Sequence, residues 1–318
     1  MNDHALYAII PFYNYSNSKS RLDNLYSFVD QYKNQHNLRI VVVEAIRNGE
    51  RPLQDLSNDT YAHVKYPIKQ KLWHKENLIN VAIKEHLPKD WNYVCWIDSD
   101  VHFLNKNWVN DTINELSSCD FVQLFDSAIL LKQKNEVIFL DNNFLIYSSW
   151  LKFCKNKFIN PKNKFELINK KLYQDLQEEI VFEPHSGFAW ATNRNFYNKI
   201  EKLWDCNLIG GADDIIAKCV TQNIQDHPFK VLYSEQHEKT LLQYYNRFSS
   251  CKYNNIRGSI VHYWHGCYES RKYHNRHEIL KSYNFSPLDV KYDENNMIFI
   301  DNEQLSLDLE GYFNEREN

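Results

Sequence analysis

Glycine is scarce in this chain, which has seven glycines among 318 residues. Five of them lie between residues 187 and 266, at Gly187, Gly210, Gly211, Gly258 and Gly266. Glycine is used where the backbone turns tightly or where a ligand approaches it closely. The clustering therefore predicts a shaped pocket built by the second half of the chain.

Several features that define large protein classes are missing. No apolar stretch approaches the roughly 20 residues that cross a bilayer, and the N-terminus is too polar for a signal peptide. The seven cysteines include no C-x-x-C pair, which favours reduced thiols. A net charge of −4 argues against a surface devoted to nucleic acid. We expect a cytoplasmic protein, with a membrane surface or, for a viral chain, the host cytoplasm as alternatives.

Apolar strands alternate with amphipathic helices over the first hundred residues. Apolar runs predict strands at 5–14, 38–46 and 91–97, and helical spacing of apolar residues predicts helices at 20–35 and 75–87. Because the strands are apolar throughout, we predict an α/β fold with a mainly parallel central sheet covered by helices on both faces. Such sheets bind ligands at the carboxyl ends of their strands, where Asn14, Glu44 and Asp98 fall.

The domain organisation follows from where this regularity stops. We predict one domain at 1–285, with an insertion at about 126–182. Residues 286–318 form an acidic extension that we expect to pack weakly. Lysines and aromatic residues alternate at 152–173, which predicts either a grip on an anionic polymer or a solvated helix face.

Asp98 and Asp100 follow the apolar strand that ends at Ile97. In an extended segment, side chains at i and i+2 point the same way. Two converging carboxylates repel each other unless a cation lies between them or one stays protonated. A hard divalent cation, Mg²⁺ or Mn²⁺, satisfies both carboxylates and leaves positions for nucleotide phosphates. The motif D-S-D, with Ser99 at its centre, therefore predicts a metal site.

The motif H-Y-W-H-G supplies two more candidate metal ligands, His262 and His265, at the end of another predicted strand. Imidazole beside carboxylates favours Mn²⁺ over Mg²⁺. In this interpretation one or both histidines bind the metal. The alternative is that they are core residues whose ring nitrogens form hydrogen bonds within the protein.

Three further groups are candidates for binding or catalysis. Arg271, Lys272 and Arg276 near a predicted helix start could hold a diphosphate, or could form a solvated face. In G-G-A-D-D, Asp213 and Asp214 begin a predicted helix, where one could cap it and the other act as general base. The aromatic pair Phe188 and Trp190 could stack on a sugar or pack in the core.

Taken in order, these motifs resemble the metal-dependent branch of the glycosyltransferase-A fold, which includes β-1,4-galactosyltransferases and polypeptide N-acetylgalactosaminyltransferases. The resemblance spans residues 5 to about 280, and the ending H-Y-W-H-G-C-Y-E-S-R is similar to bacterial, phage and large-virus members. It implies a Rossmann-like fold, Mn²⁺ or Mg²⁺ as cofactor, and a nucleotide-sugar donor, with UDP as its nucleotide.

The resemblance also implies roles for individual residues. It gives donor binding to Pro11, Tyr13, Asn14, Glu44, Lys75, Asn77, Asp98, Ser99, Asp100, Arg271 and Arg276. It gives acceptor binding to Trp190, Gly210 and Gly211. Family members often carry glutamate where this chain has Ala212, so the general base is either Asp213 or Asp214.

The implied reaction is transfer of a sugar to an acceptor hydroxyl, with inversion at the anomeric carbon. The acceptor is a glycan, a glycoconjugate or another polymer, and a hydroxymethylated DNA base is an alternative. Two other functions remain open from the residues: a metal-dependent phosphohydrolase using Asp98, Asp100, His262 and His265, and a protein that binds nucleotide sugars without turnover.

Overall fold

The structure of the chain is a computed structural model that describes residues 5–47, 49–50, 52–54, 57, 61–131, 139–140, 143–157, 180–222, 229, 231–266 and 276–316. The predicted basic residues Arg271 and Lys272, and most of the lysine-rich stretch 152–173, lie outside these ranges.

Strands and helices alternate as predicted. The strands are β1 (Leu6–Phe12), β2 (Leu38–Arg47), β3 (Tyr61–Ile68), β4 (Tyr93–Ile97), β5 (Val101–Phe103), β6 (Phe121–Gln123), β7 (Ser127–Leu130), β8 (Phe139–Leu140), β9 (Asn143–Ser149), β10 (Ile180–His185), β11 (Ala189–Asn193), β12 (Tyr253–Asn255), β13 (Ser259–His262), β14 (Val290–Tyr292) and β15 (Ile298–Ile300). The helices are α1 (Lys19–Tyr32), α2 (Lys75–His86), α3 (Trp108–Leu116), α4 (Trp150–Lys157), α5 (Arg194–Ile200), α6 (Ala212–Thr221), α7 (Glu235–Arg247), α8 (His277–Ser282) and α9 (Glu303–Arg316), with a short 3₁₀ turn at Pro287–Asp289.

The larger sheet has the strand order β12-β6-β11-β4-β1-β2-β3. β1 is parallel to β2 and to β4, β2 is parallel to β3, and β12 is parallel to β6. Only β11 runs against its neighbours, β4 and β6. The predicted α/β architecture with a mainly parallel central sheet is confirmed.

Both faces of this sheet are covered, as the uniformly apolar strands predicted. Alternate residues of β1 enter different cores: Tyr7 and Ile9 pack with α2, whereas Ala8 and Ile10 pack with α1 and α3. None of the helices in the described ranges is both long enough and apolar enough to cross a membrane.

A second sheet joins the predicted insertion to the strands that carry the metal motifs. Its order is β10-β9-β7-β13-β5, with β8 paired to β9. β13 lies between β7 and β5, and His262 on β13 is opposite Val101 on β5. Residues of the insertion therefore contribute strands beside the candidate site.

The C-terminal segment packs closely, so the expectation of weak packing is wrong. Leu305, Leu309, Tyr312 and Phe313 of α9 are buried in the same core as α2. Their helical spacing buries one face of α9, while its acidic residues lie on the other face or at its ends.

Candidate active site

A cavity of about 440 Å³ opens where β1 and β4 end, and it brings together most of the predicted site residues. It is lined by the predicted residues Pro11, Tyr13, Lys75, Asp98, Ser99, Asp100, Gly211, Asp213, Asp214, His262, His265 and Arg276. These residues come from distant parts of the chain, and they meet because parallel strands end at one edge of the sheet.

Three of the predicted metal ligands form a compact group. One ligand atom each from Asp100, His262 and His265 lies within 4.8 Å of the others, and no other such group of three occurs in the described ranges. The Nε2 atom of His262 is 3.3 Å from Oδ1 of Asp100, and Nε2 of His265 is 3.2 Å from Oδ2. Two imidazoles and a carboxylate are a donor set that suits Mn²⁺, so the residues present fit this cofactor.

Backbone pairing explains how the two histidines reach Asp100. The antiparallel register of β13 with β5 brings His262 next to Val101. The chain then continues past Asp100, whose carbonyl accepts a 2.8 Å hydrogen bond from the amide of Tyr263. This bond holds the segment that carries His265 against the aspartate.

Asp98 lies outside this group, because the two aspartate side chains do not converge as the expected extended geometry predicted. The segment after β4 is a turn rather than an extended chain, because the amide of Val101 donates to the carbonyl of Asp98 at 3.2 Å. A turn removes the i, i+2 alignment of a strand. Asp98 points instead to Lys75, whose Nζ lies 2.7 Å from Oδ1.

Lys75 connects the D-S-D motif to the G-G-A-D-D motif. Its side chain is 6% exposed, and its Nζ also lies 3.1 Å from Oδ2 of Asp213. Asp213 and Asp98 are thus held by a single buried ammonium group. The second aspartate of the pair, Asp214, faces Lys218 on its own helix at 2.6 Å and is 48% exposed, against 20% for Asp213.

The two glycines before these aspartates have separate functions. Gly211 precedes α6 with φ +95°, a left-handed conformation that favours glycine, and its carbonyl accepts from the amide of Asp214. Gly210 has φ +88°, and a Cβ there would lie 3.0 Å from the ring of Trp73. Gly210 does not line the cavity, so its predicted acceptor contact is replaced by packing against Trp73.

Burial and charge compete in the group around Lys75. Burial lowers the pKa of Lys75, but Asp213, Asp98 and Glu76 outweigh burial and hold the pKa well above its ordinary value. Burial raises the pKa of Asp98 to about 6, against the opposing charge of Lys75. Burial also raises the pKa of Glu76 to about 8, with Asp213 adding to the effect.

The predicted aromatic pair divides between the site and the core. The Phe188 ring lines the cavity and stacks on His185, with ring centres 3.9 Å apart and planes at 8°. Trp190 is fully buried, packs against Phe121, and donates its indole N–H to the carbonyl of Ser186. For Trp190 the core-packing alternative describes the structure, because the strand β11 turns its side chain away from the cavity.

Three residues predicted to bind the donor have structural partners and do not line the cavity. Glu44 is 5% exposed, with one oxygen 2.9 Å from His63 Nε2, and it accepts from the amide of Leu53. Asn14 accepts from the amide of Ser18 and closes the loop before α1.

Asn77 is the third of these residues. It points away from the cavity toward the C-terminal hairpin of β14 and β15. Its side chain donates to the carbonyl of Asn296 and accepts from the amide of Ile298, at 2.9 and 3.2 Å.

The cavity also contains residues that the motifs did not indicate: Tyr15, Arg21, Trp73, Tyr147, His185, Phe313 and Arg316. Trp73 lies just before the predicted helix at 75–87, and its nearness in sequence to Lys75 could have indicated that it lies at the site. Phe313 and Arg316 come from the end of the chain, and no local pattern shows that this segment returns to the first strand.

No protein-family model matches the chain, and no curated protein matches it. Solved structures similar to it include a variant of Drosophila β1,4-galactosyltransferase 7 in complex with manganese, UDP-Gal and xylobiose, at 12% identity over 94% of each chain with a TM-score of 0.42.

Two other similar structures are a mannosyltransferase from Pyrobaculum calidifontis in complex with GDP-Man and Mn²⁺, and 4-diphosphocytidyl-2C-methyl-D-erythritol synthase from Anaerococcus prevotii. The first is 12% identical over 87% of this chain and 62% of its own, with a TM-score of 0.37. The second is 10% identical over 98% of each chain, with a TM-score of 0.34. TM-scores below 0.5 do not establish a shared fold or activity, so the residues of the site carry the functional conclusion.

Proposed function

We propose that this protein is a metal-dependent glycosyltransferase that moves a sugar from a nucleotide sugar, with UDP as its nucleotide, to an acceptor hydroxyl. The acceptor class is a glycan, a glycoconjugate or another polymer. One observation carries the proposal: a single cavity contains three residues arranged so that they could hold a metal ion, and a carboxylate, Asp213, held by a buried lysine.

Asp100, His262 and His265 would hold the cation. Bound there, a divalent cation supplies positive charge beside the diphosphate leaving group. Arg276 lines the same cavity and is 7% exposed, so its guanidinium adds fixed positive charge that needs no reorganisation during the reaction.

Asp213 is the better of the two candidate general bases. It is the less exposed aspartate, and Lys75 fixes its orientation from a second element. Asp214 is engaged by Lys218 one helical turn away. Asp213 would take the proton of the acceptor hydroxyl as that oxygen bonds to the anomeric carbon and the bond to the diphosphate oxygen breaks. Displacement in one step inverts the anomeric configuration.

The competing hydrolase function has less support from the described residues. Phosphohydrolases with two metal ions gather ligands for both of them. Here Asp98, which such a site would use, is paired with Lys75, and the group at Asp100 contains three ligands.

Calorimetric titration with UDP, and then with a panel of UDP-sugars, tests the proposal. We expect wild-type protein to bind UDP in the presence of Mn²⁺ and to bind it much more weakly after chelation. His265→Ala should lose the Mn²⁺-dependent part, and His36→Ala, a change of an exposed histidine on the surface, should keep it.

Binding of no nucleotide by wild type, with or without Mn²⁺, would contradict the proposal. Tightly bound zinc together with phosphatase activity would favour the hydrolase instead. For the donor that binds, the anomeric configuration of the product decides between inversion and retention.

A further inference from the structure

The C-terminal helix α9 forms one wall of the cavity through Phe313 and Arg316. The helix is anchored by contacts in the two turns that lead to Arg316. Phe313 packs edge-on against Tyr15 with ring centres 5.6 Å apart, and Asn314 accepts a 2.8 Å hydrogen bond from Lys71. Arg47 and Glu310 form an ion pair at 2.6 Å one turn earlier. Arg316 therefore projects from a docked helix.

The guanidinium group of Arg316 lies over the ring of Trp73, with Cζ 4.9 Å from the ring centre. The ring is itself fixed, because its Nε1 donates to Glu76 at 3.0 Å and Gly210 packs closely against it. An arginine on an aromatic face gains cation–π attraction while the edge of its guanidinium stays available for hydrogen bonds. Trp73 thus orients Arg316 for a ligand.

Arg316 differs from the other basic residues of the site in its partners. Lys75 is occupied by Asp98 and Asp213. Within the described ranges no carboxylate pairs with Arg316, and its Nη1 atom is buried without a hydrogen-bond partner. The helix dipole favours a cation at the C-terminal end of a helix, which explains a positive charge at this position. It does not explain a buried N–H group without an acceptor, which is unfavourable.

Positive charge accumulates at this end of the cavity. Burial raises the pKa of Tyr13 above its ordinary value and Glu76 adds to the rise, whereas Arg316, Arg21 and Lys75 all act against it. Three cationic groups from three elements therefore lie near one phenol. All three of them line the cavity together with Tyr13.

We propose that Arg316, held over Trp73, binds a carboxylate or phosphate group of a ligand in this cavity through paired hydrogen bonds. The inference rests on the proposed function, because that function supplies two candidate sources of the anionic group. The group belongs either to the diphosphate of the donor or to an acidic sugar of the acceptor. In both cases Arg316 is a specificity-determining residue supplied by the C-terminal segment.

Binding titrations with five probes test this. UDP, uridine and pyrophosphate are each titrated with Mn²⁺, and methyl β-glucuronide is compared with the uncharged methyl β-glucoside. The variants are Arg316→Gln, which removes the charge, and Arg316→Lys, which keeps the charge but not the paired geometry. Arg247→Gln, at a surface pair with Glu201, is the matched control. Thermal unfolding of each variant checks that it is folded, and Arg316→Lys serves if Arg316→Gln does not fold.

We expect Arg316→Gln to weaken an anionic probe roughly 10- to 100-fold, with Arg316→Lys between it and wild type. If Arg316→Gln binds UDP and pyrophosphate more weakly but binds uridine as wild type does, the donor phosphates are the source of the anionic group. If Arg316→Gln binds UDP and the glucoside as wild type does but binds the glucuronide more weakly, the source is an acidic acceptor. The inference is overturned if Arg316→Gln binds every anionic probe with the same affinity as wild type. It is also overturned if wild type binds no anionic probe. Wild type that binds glucuronide or pyrophosphate but not UDP contradicts the proposed function and leaves this inference standing.

Discussion

Asp98 and Asp100 lie in one turn, but they face different partners. On the lysine side of the cavity, Asp98 and Asp213 share the ammonium group of Lys75. On the histidine side, Asp100 lies between His262 and His265. The lysine side carries a permanent buried cation, whereas the histidine side presents ligand atoms that are suited to a metal ion.

This difference shows that the two carboxylates of a D-x-D motif can contact different partners. The turn at Ser99 sends the two side chains in different directions, so each is stabilised separately. The consequence is that changes on the two sides should have different effects, with metal affinity following the histidine side and proton transfer and stability following the lysine side.

The largest expected effect concerns Asp213, the proposed general base. Asp213→Asn should lower kcat by roughly 10²- to 10⁴-fold, the usual contribution of a general base, while donor binding stays close to wild type. Asp214→Asn is the matched control, since Asp214 faces Lys218 and is half exposed. Turnover of the UDP-sugar identified by titration measures both. A larger loss in Asp214→Asn than in Asp213→Asn would reverse the assignment.

Metal affinity should separate the two aspartates of the D-S-D motif. Asp100→Ala removes a proposed ligand, so the Kd for Mn²⁺ should rise by more than the roughly 10- to 100-fold that loss of a supporting partner costs. Asp98→Ala should change it less, because Asp98 is paired with Lys75. Electron paramagnetic resonance of free Mn²⁺ gives both constants. Equal losses would mean that Asp98 joins the ligand set when the ion binds.

Removing Lys75 should destabilise the lysine side. Lys75→Met leaves Asp98 and Asp213 without their shared cation, and we expect the free energy of unfolding to fall by about 2–4 kcal/mol. Loss of one partner from a buried pair is costly because the remaining charge stays desolvated. Lys84→Met, on the exposed face of the same helix, should change it by less than about 0.5 kcal/mol. Chemical denaturation gives both values, and equal values would contradict a stabilising role for Lys75.

The difference between the two sides also marks how far the sequence can predict this site. The histidine side could be predicted because H-Y-W-H-G and D-S-D each follow an apolar strand, and strand ends meet at one edge of a sheet. The partner of Asp98 depends on a turn at Ser99, and a single hydrogen bond at the end of β4 decides between a turn and an extended chain. Periodicity carries no information about such a bond.

The C-terminal wall lay beyond prediction for a different reason. The apolar residues of α9 have ordinary helical spacing, and that spacing shows that the helix buries a face without showing what it packs against. Phe313 reaches the cavity because Lys71, Arg47 and Tyr15 hold the helix against the first strands. These contacts join residues more than two hundred positions apart, and only the folded chain reveals them.

The smallest expected effect is a pH dependence on the lysine side. Burial raises the pKa of Glu76 to about 8, with Asp213 adding to the rise and Lys75 opposing it. A carboxyl that holds its proton more tightly when folded stabilises the protein most below its unfolded pKa, and this stability is lost as pH rises toward the folded pKa.

Glu76→Gln keeps a side-chain oxygen for the indole N–H of Trp73 but cannot ionise. Relative to wild type, the variant should therefore gain stability as the pH rises from 5 to 8, by up to about 1.4 kcal/mol per pH unit. Other titrating groups are common to both proteins, so their contributions cancel in this difference. Urea denaturation at each pH measures it. A difference that stays constant with pH would show that Glu76 is already ionised at pH 5, and that Lys75 then neutralises three carboxylates rather than two.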